Sequence, residues 1–398
     1  MHTLPYWRLS GYYFFYFAFI GAFSPYFGLY LQSLSFSAWD IGLLMSQMQL
    51  MRLLAPYVWG ALADRLGQRV TVVRLAAMLS LVGFSTFFVV QTFATMLVAM
   101  ALLAFFWSGS LPLVETVTFD HLRADPARYS RIRLWGSIGF IVAVMGTGAV
   151  LDRLPLPSLL WVIVATLIGI LGYALAVPEA PSQPLVDEEL PVGTIVRQMR
   201  VRALFAACFV MSAAHGALYV FYSIHLANHG YGTFVVGCLW SLGVVAEILV
   251  FFFMVPLLHR FGLRTILLAS FAAAVLRFLI IGWGVDWPAL IFFAQLLHGL
   301  TFGAYHAAAI AAINRWFPGR CQVRGQALYS SISFGAGGLV GSLLSGWSWD
   351  RWGAAPTFTL SSAFALVGMF LVARWVDRTD LDGSGVADPL RVTDGSHS

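Results

Sequence analysis

Eight ionisable side chains interrupt long apolar runs: Arg52, Glu115, Arg133, His215, Glu247, Arg277, His298 and His306. Each is costly in lipid unless it is paired or faces water, so their positions mark where chemistry is to be sought. Two carboxylates cannot pair three guanidiniums one to one. The cation left over suits an anionic ligand such as a carboxylate. A carboxylate in a low-dielectric cavity that gains and loses an arginine neighbour alternately binds and releases a proton, and imidazoles relay protons near neutrality. These residue types point to a bound anion and an acid that exchanges a proton. The competing reading makes all three arginines structural, shared with carbonyls and water. Neither H-E-x-x-H nor G-x-S-x-G occurs, so the chain is not read as an enzyme, and no metal or other cofactor is expected beyond a proton gradient.

Helical spacing groups the candidates. Arg133, Ser137 and Phe140 share a face, as do His215, Tyr219 and Tyr222, then Trp240, Gly243 and Glu247, then His298, Thr301 and Tyr305. His306 points roughly 80° away from His298. Rings beside charges suit a ligand with an apolar ring and a charge. Arg133 is the first choice for its carboxylate, with Ser137 and Phe140 beside it. Arg52, one turn after Gln49, is the second, and Glu115 and Tyr219 complete the candidate substrate site. Glu247 is the candidate proton carrier, with Arg277, His298, His306 and His215 as coupling residues. Its structural alternative is a permanent Glu247–Arg277 pair. Aromatic residues make up 15% of the chain, so most rings are expected to serve packing or interface anchoring.

The elements that must position these groups are membrane helices. Hydrophobic residues reach 60% and charged residues only 10%, with a mean hydropathy of +0.81. Apolar stretches of spanning length fall near 8–32, 40–61, 70–90, 94–118, 132–151, 156–177, 202–226, 234–257, 265–284, 288–313, 326–347 and 355–376. The expected fold is therefore an all-α membrane protein of twelve spans. The first run is too long for a cleaved signal peptide, and no small-residue cleavage site follows it. All 23 basic residues are arginine. Most lie beside alternate loops or the termini, the other loops holding only Arg153 and Arg351, which places both termini in the cytoplasm. The +5 charge thus reflects orientation, and no nucleic-acid partner is expected. Cys208, Cys238 and Cys321 form no disulfide framework.

The chain repeats weakly at about 195 residues: His259-Arg260-Phe-Gly262-Leu-Arg264 echoes Asp64-Arg65-Leu-Gly67-Gln-Arg69 without the aspartate, and Asp350-Arg351 echoes Asp152-Arg153. Two pseudo-symmetric six-helix halves follow, at 1–177 and 202–378, joined by a polar linker at 178–201. Residues 379–398 read as a disordered cytoplasmic tail.

Residues 60–69 read as a charged turn between spans, with Gly60 allowing helix approach, Gly67 a tight turn, and Arg65 and Arg69 holding the loop inside. This Gly60-Ala-Leu-Ala-Asp64-Arg65-Leu-Gly67-Gln-Arg69 segment resembles the loop between helices 2 and 3 of the major facilitator superfamily, and the resemblance assigns it to conformational switching. Ile132-Arg133 to Phe140, Leu239-Trp240 to Glu247, Leu276-Arg277 and Leu297-His298 to His306 resemble the proton-coupled 3-phenylpropionate transporter family, a relative of lactose permease. The resemblance covers the chain apart from linker and tail. It implies a substrate-site acid and arginine at Glu115 and Arg133, and a coupling region at Glu247, Arg277 and His298. Where lactose permease has a second acid one turn after the histidine, this chain has Thr301, and Phe140 replaces the stacking tryptophan. The function expected is secondary active transport by a monomer in the cell inner membrane: proton symport of a small organic acid such as an aryl propionate. Sugar or nucleoside symport and drug/proton antiport on the same fold are the alternatives, although three buried arginines suit lipophilic cations poorly.

Overall fold

The computed structural model describes residues 4–122, 128–180, 192–319 and 321–376. The linker's centre, the tail and Arg123, Arg320 and Arg378 lie outside the described residues. Among the described residues, ten helices are long and apolar enough to cross a membrane. They are α1 (Tyr6–Ser33), α3 (Arg69–Phe88), α4 (Phe93–His121), α5 (Tyr129–Leu151), α6 (Ser158–Ala176), α7 (Met199–Asn228), the run Thr233–Trp283, α10 (Pro288–Trp316), α11 (Cys321–Trp352) and α12 (Ala354–Trp375). Helix α2 (Ala38–Leu66) is as long as its neighbours, but Gln47, Gln49 and Arg52 lower its hydropathy. The run Thr233–Trp283 breaks at Gly262, whose φ of 73° is open to glycine, into α8 (233–261) and α9 (263–283). Among the described residues twelve long helices result, as the apolar pattern predicts.

Helix α2 opens on a capping box in which Ser37 and Asp40 satisfy each other's backbone N–H, and it closes on Gly67 at φ 63°. The loop expected over 60–69 is correspondingly shorter: Gly60 to Leu66 prolong the helix, and Arg65 in the last turn complements its dipole. Gly60 does not mediate helix approach here, since a Cβ on it would meet nothing within 4 Å. Arg69 instead anchors the turn, its guanidinium bonded to Asp120 at 2.6 Å. Glu179 takes the first N–H groups of α3, from Arg69 and Val70. Arg74 donates to the terminal carbonyls of α6 at Ala174, Leu175 and Val177.

Helices α1–α6 and α7–α12 form two bundles. The bundles meet where α2 packs on α11 and α5 on α8. Glycines let these backbones close. A Cβ on Gly42 would stand 2.9 Å from the Gly346 Cα, and one on Gly148 would stand 2.5 Å from the Thr233 carbonyl oxygen. The hydrogen bonds that join the bundles gather at the end opposite the Asp64 turn. There Tyr26 of α1 donates to the Val144 and Thr233 carbonyls, tying α5 to α8.

Candidate functional site

A cavity of about 290 Å³ lies between the bundles. Its first wall carries Phe17, Ile20 and Phe23 of α1, Met45, Met48, Gln49 and Arg52 of α2, Trp107 of α4, and Arg133, Ser137 and Phe140 of α5. The second wall carries Ser212 and Tyr219 of α7, Trp240 and Glu247 of α8, His298 and Phe302 of α10, and Phe334 and Ser342 of α11. Regular helical geometry on α5 brings Arg133, Ser137 and Phe140 to one place, as their spacing predicts. The Arg133 guanidinium lies 3.9 Å from the Phe17 ring centroid, an attractive seat for a cation. Arg52 is exposed to the cavity. Tyr219 stacks on Trp240, their centroids 6.2 Å apart, and the indole N–H of Trp240 is fixed on Ser223 at 3.0 Å.

Glu247 faces these cations from the other wall. Its carboxylate stands 3.9 Å from His298 Nε2, and Arg133 lines the opposite wall. The permanent Glu247–Arg277 pair, the structural alternative to proton exchange, is absent among the described contacts. Arg277 is fully buried, and its three nitrogens donate to the Ala294 carbonyl, Thr301 Oγ1 and Gln295 Oε1. The hydroxyl at Thr301 thus takes the guanidinium and holds it off the cavity lining, which overturns the permanent pair with Glu247.

Three further expectations need correction. Glu115 does not line the cavity; it accepts a hydrogen bond from the Tyr129 hydroxyl at 3.2 Å. His215 turns back along its own helix, Nδ1 donating to the Met211 carbonyl at 2.8 Å, where α7 is interrupted. His306 bonds Tyr329 at 2.8 Å and stands outside the lining. A wide π-helical turn at Gly299–Ala304 accounts for the changed register of α10. It moves Thr301 to Arg277 and Tyr305 against Phe271, and brings Phe302 under His298 with centroids 5.5 Å apart. A second π-helical turn, Ser331–Gly337, puts Phe334 on the lining of α11. Sequence spacing did not single out Trp107, Phe302 or Phe334, because a ring in an apolar run carries no mark of facing a cavity.

The model of the MFS_1 like family matches residues 6–360. The chain belongs to this family of the major facilitator superfamily. Among its relatives, the "Probable 3-phenylpropionic acid transporter" of Escherichia coli (strain K12) is 28% identical over 370 residues, spanning 92% of this chain and 96% of the relative. The "Maltose permease" of Geobacillus stearothermophilus is 24% identical, over 91% of this chain and 92% of that one. The crystal structure of nucleoside transporter NupG superposes with a TM-score of 0.81 at 17% identity, over 92% of this chain and 98% of that chain. The fold is the major facilitator fold, and the relatives are multi-pass membrane transporters of small molecules.

Proposed function

We propose that this transporter carries a small organic acid with an aromatic or other apolar body, such as an aryl propionate, in symport with protons. The observation that carries this reading is the pairing of Arg52 and Arg133 on one ring-lined wall against Glu247 and His298 on the other. Among the described lining residues Arg52 and Arg133 outnumber the one carboxylate, Glu247, so the lining is positive when Glu247 is ionised and more so when it is protonated, while Glu115, off the lining, also acts on Arg133. At about 4 Å and an effective dielectric near 20, one unpaired guanidinium attracts an anion by roughly 4 kcal/mol before desolvation is subtracted. Protonation and anion binding then favour one another, which is the thermodynamic content of symport. Arg133 holds the carboxylate, Ser137 donates to it, and Phe140, Trp107 and Tyr219 enclose the ring. Glu247 carries the proton with His298 as its neighbour.

Sidedness follows from the arginine-rich loops: the Asp64 turn and both termini face the cytoplasm of the inner membrane. Alternating access consists of the two bundles rocking about the cavity. The test is uptake into liposomes of labelled aryl carboxylates, maltose and nucleosides, with and without an imposed proton gradient. Gradient-driven accumulation of the aryl acid supports the reading; accumulation of only a neutral sugar or nucleoside refutes it. The second reading, neutral-solute transport, draws on the likeness to a maltose permease and to a nucleoside transporter.

A further inference from the structure

Two aspartates cross between the bundles at the end opposite the Asp64 turn. Asp350, near the end of α11, accepts the backbone N–H groups of Ala38 and Trp39 at 3.0 and 2.8 Å. Asp152, just past α5, accepts the Thr233 hydroxyl at 2.6 Å and the Phe234 N–H at 3.3 Å. Both acceptors sit beside the first turn of a helix belonging to the other bundle, α2 in one case and α8 in the other.

These helix ends are built to need them. A helix leaves its first N–H groups without partners inside the helix. On α2 the capping box satisfies the N–H groups of Ser37 and Asp40, and the two between them go to Asp350. On α8 the capping position is Gly232, which has no side chain to offer, and Asp152 supplies an acceptor from the opposite bundle. The Thr233 hydroxyl holds the Asp152 carboxyl below the usual carboxylate range, so the bond is made by the ionised form at neutral pH. Each carboxylate also faces the positive end of a helix dipole.

The chain order makes the two arrangements equivalent. Asp152-Arg153 and Asp350-Arg351 are the repeated pair, α5 corresponds to α11, and α2 corresponds to α8. Each bundle therefore lends one carboxylate and one helix N-terminus. We propose that Asp152 and Asp350 are a matched pair of positioning residues that close the outer end of the transporter by capping, in trans, the first turns of α8 and α2. The inference rests on the alternating-access reading above. When the bundles separate at this end, both caps are lost together and the freed N–H groups turn to water. Because neither residue lines the cavity, they set which side the cavity opens to without touching its ligand.

The test reads the outer end directly. Spin labels at Gln91→Cys and Trp287→Cys, in a full-length chain whose three native cysteines are replaced by alanine, report the separation of the bundles by pulsed electron resonance in lipid nanodiscs. Asp152→Ala and Asp350→Ala should each raise the ratio of long to short distances roughly tenfold, the scale of one partly solvated charge-assisted hydrogen bond. The double variant should approach the product of the two, since both act on one equilibrium. Asparagine at either position keeps an acceptor oxygen without the charge and should fall between aspartate and alanine, and this pair carries the test if the alanine variants do not fold. An unchanged distribution in a folded double variant overturns the proposal. So does a double variant no different from the larger single. The readout needs neither substrate nor proton gradient, so its failure leaves the organic-acid reading standing, and failure of the liposome assay leaves the caps standing.

Discussion

The two walls of the cavity are chemically unlike although the bundles that carry them repeat one another. The α1–α6 wall presents Arg52 and Arg133 among Phe17, Phe23, Trp107 and Phe140; the α7–α12 wall presents Glu247 and His298 beside Tyr219 and Trp240. Pseudo-symmetry is kept where the bundles must close on each other, in Asp152 and Asp350, and abandoned where they meet the ligand. Division of labour explains this. On the proposed proton-symport function, one set of groups holds the solute and another exchanges a proton, and separating them on two moving bodies lets each sense the other through the cavity.

The sharpest way to break the comparison is at Glu247. Glu247→Gln imitates the protonated acid, so it should abolish proton-driven accumulation while counterflow exchange and ligand binding persist. A mutant that still concentrates its solute against a gradient moves the proton site to His298. Next in size is the first wall. Arg133→Gln should weaken aryl carboxylate binding about ten- to a hundredfold, consistent with the loss of a charge-assisted hydrogen bond worth roughly 1.5–3 kcal/mol, read by isothermal titration. Binding that stays within about twofold, well under the 1.4 kcal/mol of a tenfold change, would shift the anion contact to Arg52.

Helical periodicity made the α5 triad legible, because α5 is regular from Arg133 through Phe140. The same reasoning lost register on α10, where an added π-helical turn defeats any count based on 3.6 residues. Glu115 and Arg277 were recognisable as costly groups, but their partners were not. A tyrosine hydroxyl, a threonine hydroxyl, an amide oxygen and a backbone carbonyl satisfy them, and none of these is distinctive in a sequence. Arg74 carries no such mark inside its apolar run for the same reason, held by the carbonyls that end α6. The twelve-helix order was readable throughout, since lipid leaves few ways to satisfy a backbone.

Arg277 sharpens the comparison by separating coupling from structure in the second bundle. Its side chain is 1% exposed and bonded only to neutral acceptors. Arg277→Lys cannot reproduce a three-way fork, so it should lower stability by about 3 kcal/mol, visible as a fall in the unfolding temperature in detergent. Ligand affinity of the folded fraction should stay within a few-fold of the parent. A variant of normal stability that loses proton coupling would return Arg277 to the role the sequence suggested.

The smallest effect is expected at Asp64, where the bundles differ at the end opposite the Asp152 and Asp350 caps. The first bundle has Asp64 in the last turn of α2, and the second has His259 at the corresponding place. Asp64 is exposed in this structure, in which the opposite end is the one tied across the bundles. A carboxylate that is solvated in one state and meets a helix N-terminus or an arginine in the other contributes only the difference between the two, roughly 1 kcal/mol for a helix-end charge. Asp64→Asn should therefore slow counterflow about fivefold, as expected for a change of that size. Equilibrium ligand affinity should remain unmoved, because the residue is not part of the cavity lining. His259→Asn, at the position that has already lost its acid, should leave both quantities alone. Loss of ligand binding by a folded Asp64→Asn protein would show that the turn does more than bias the rocking of the bundles, and an equal slowing by His259→Asn would erase the asymmetry between them.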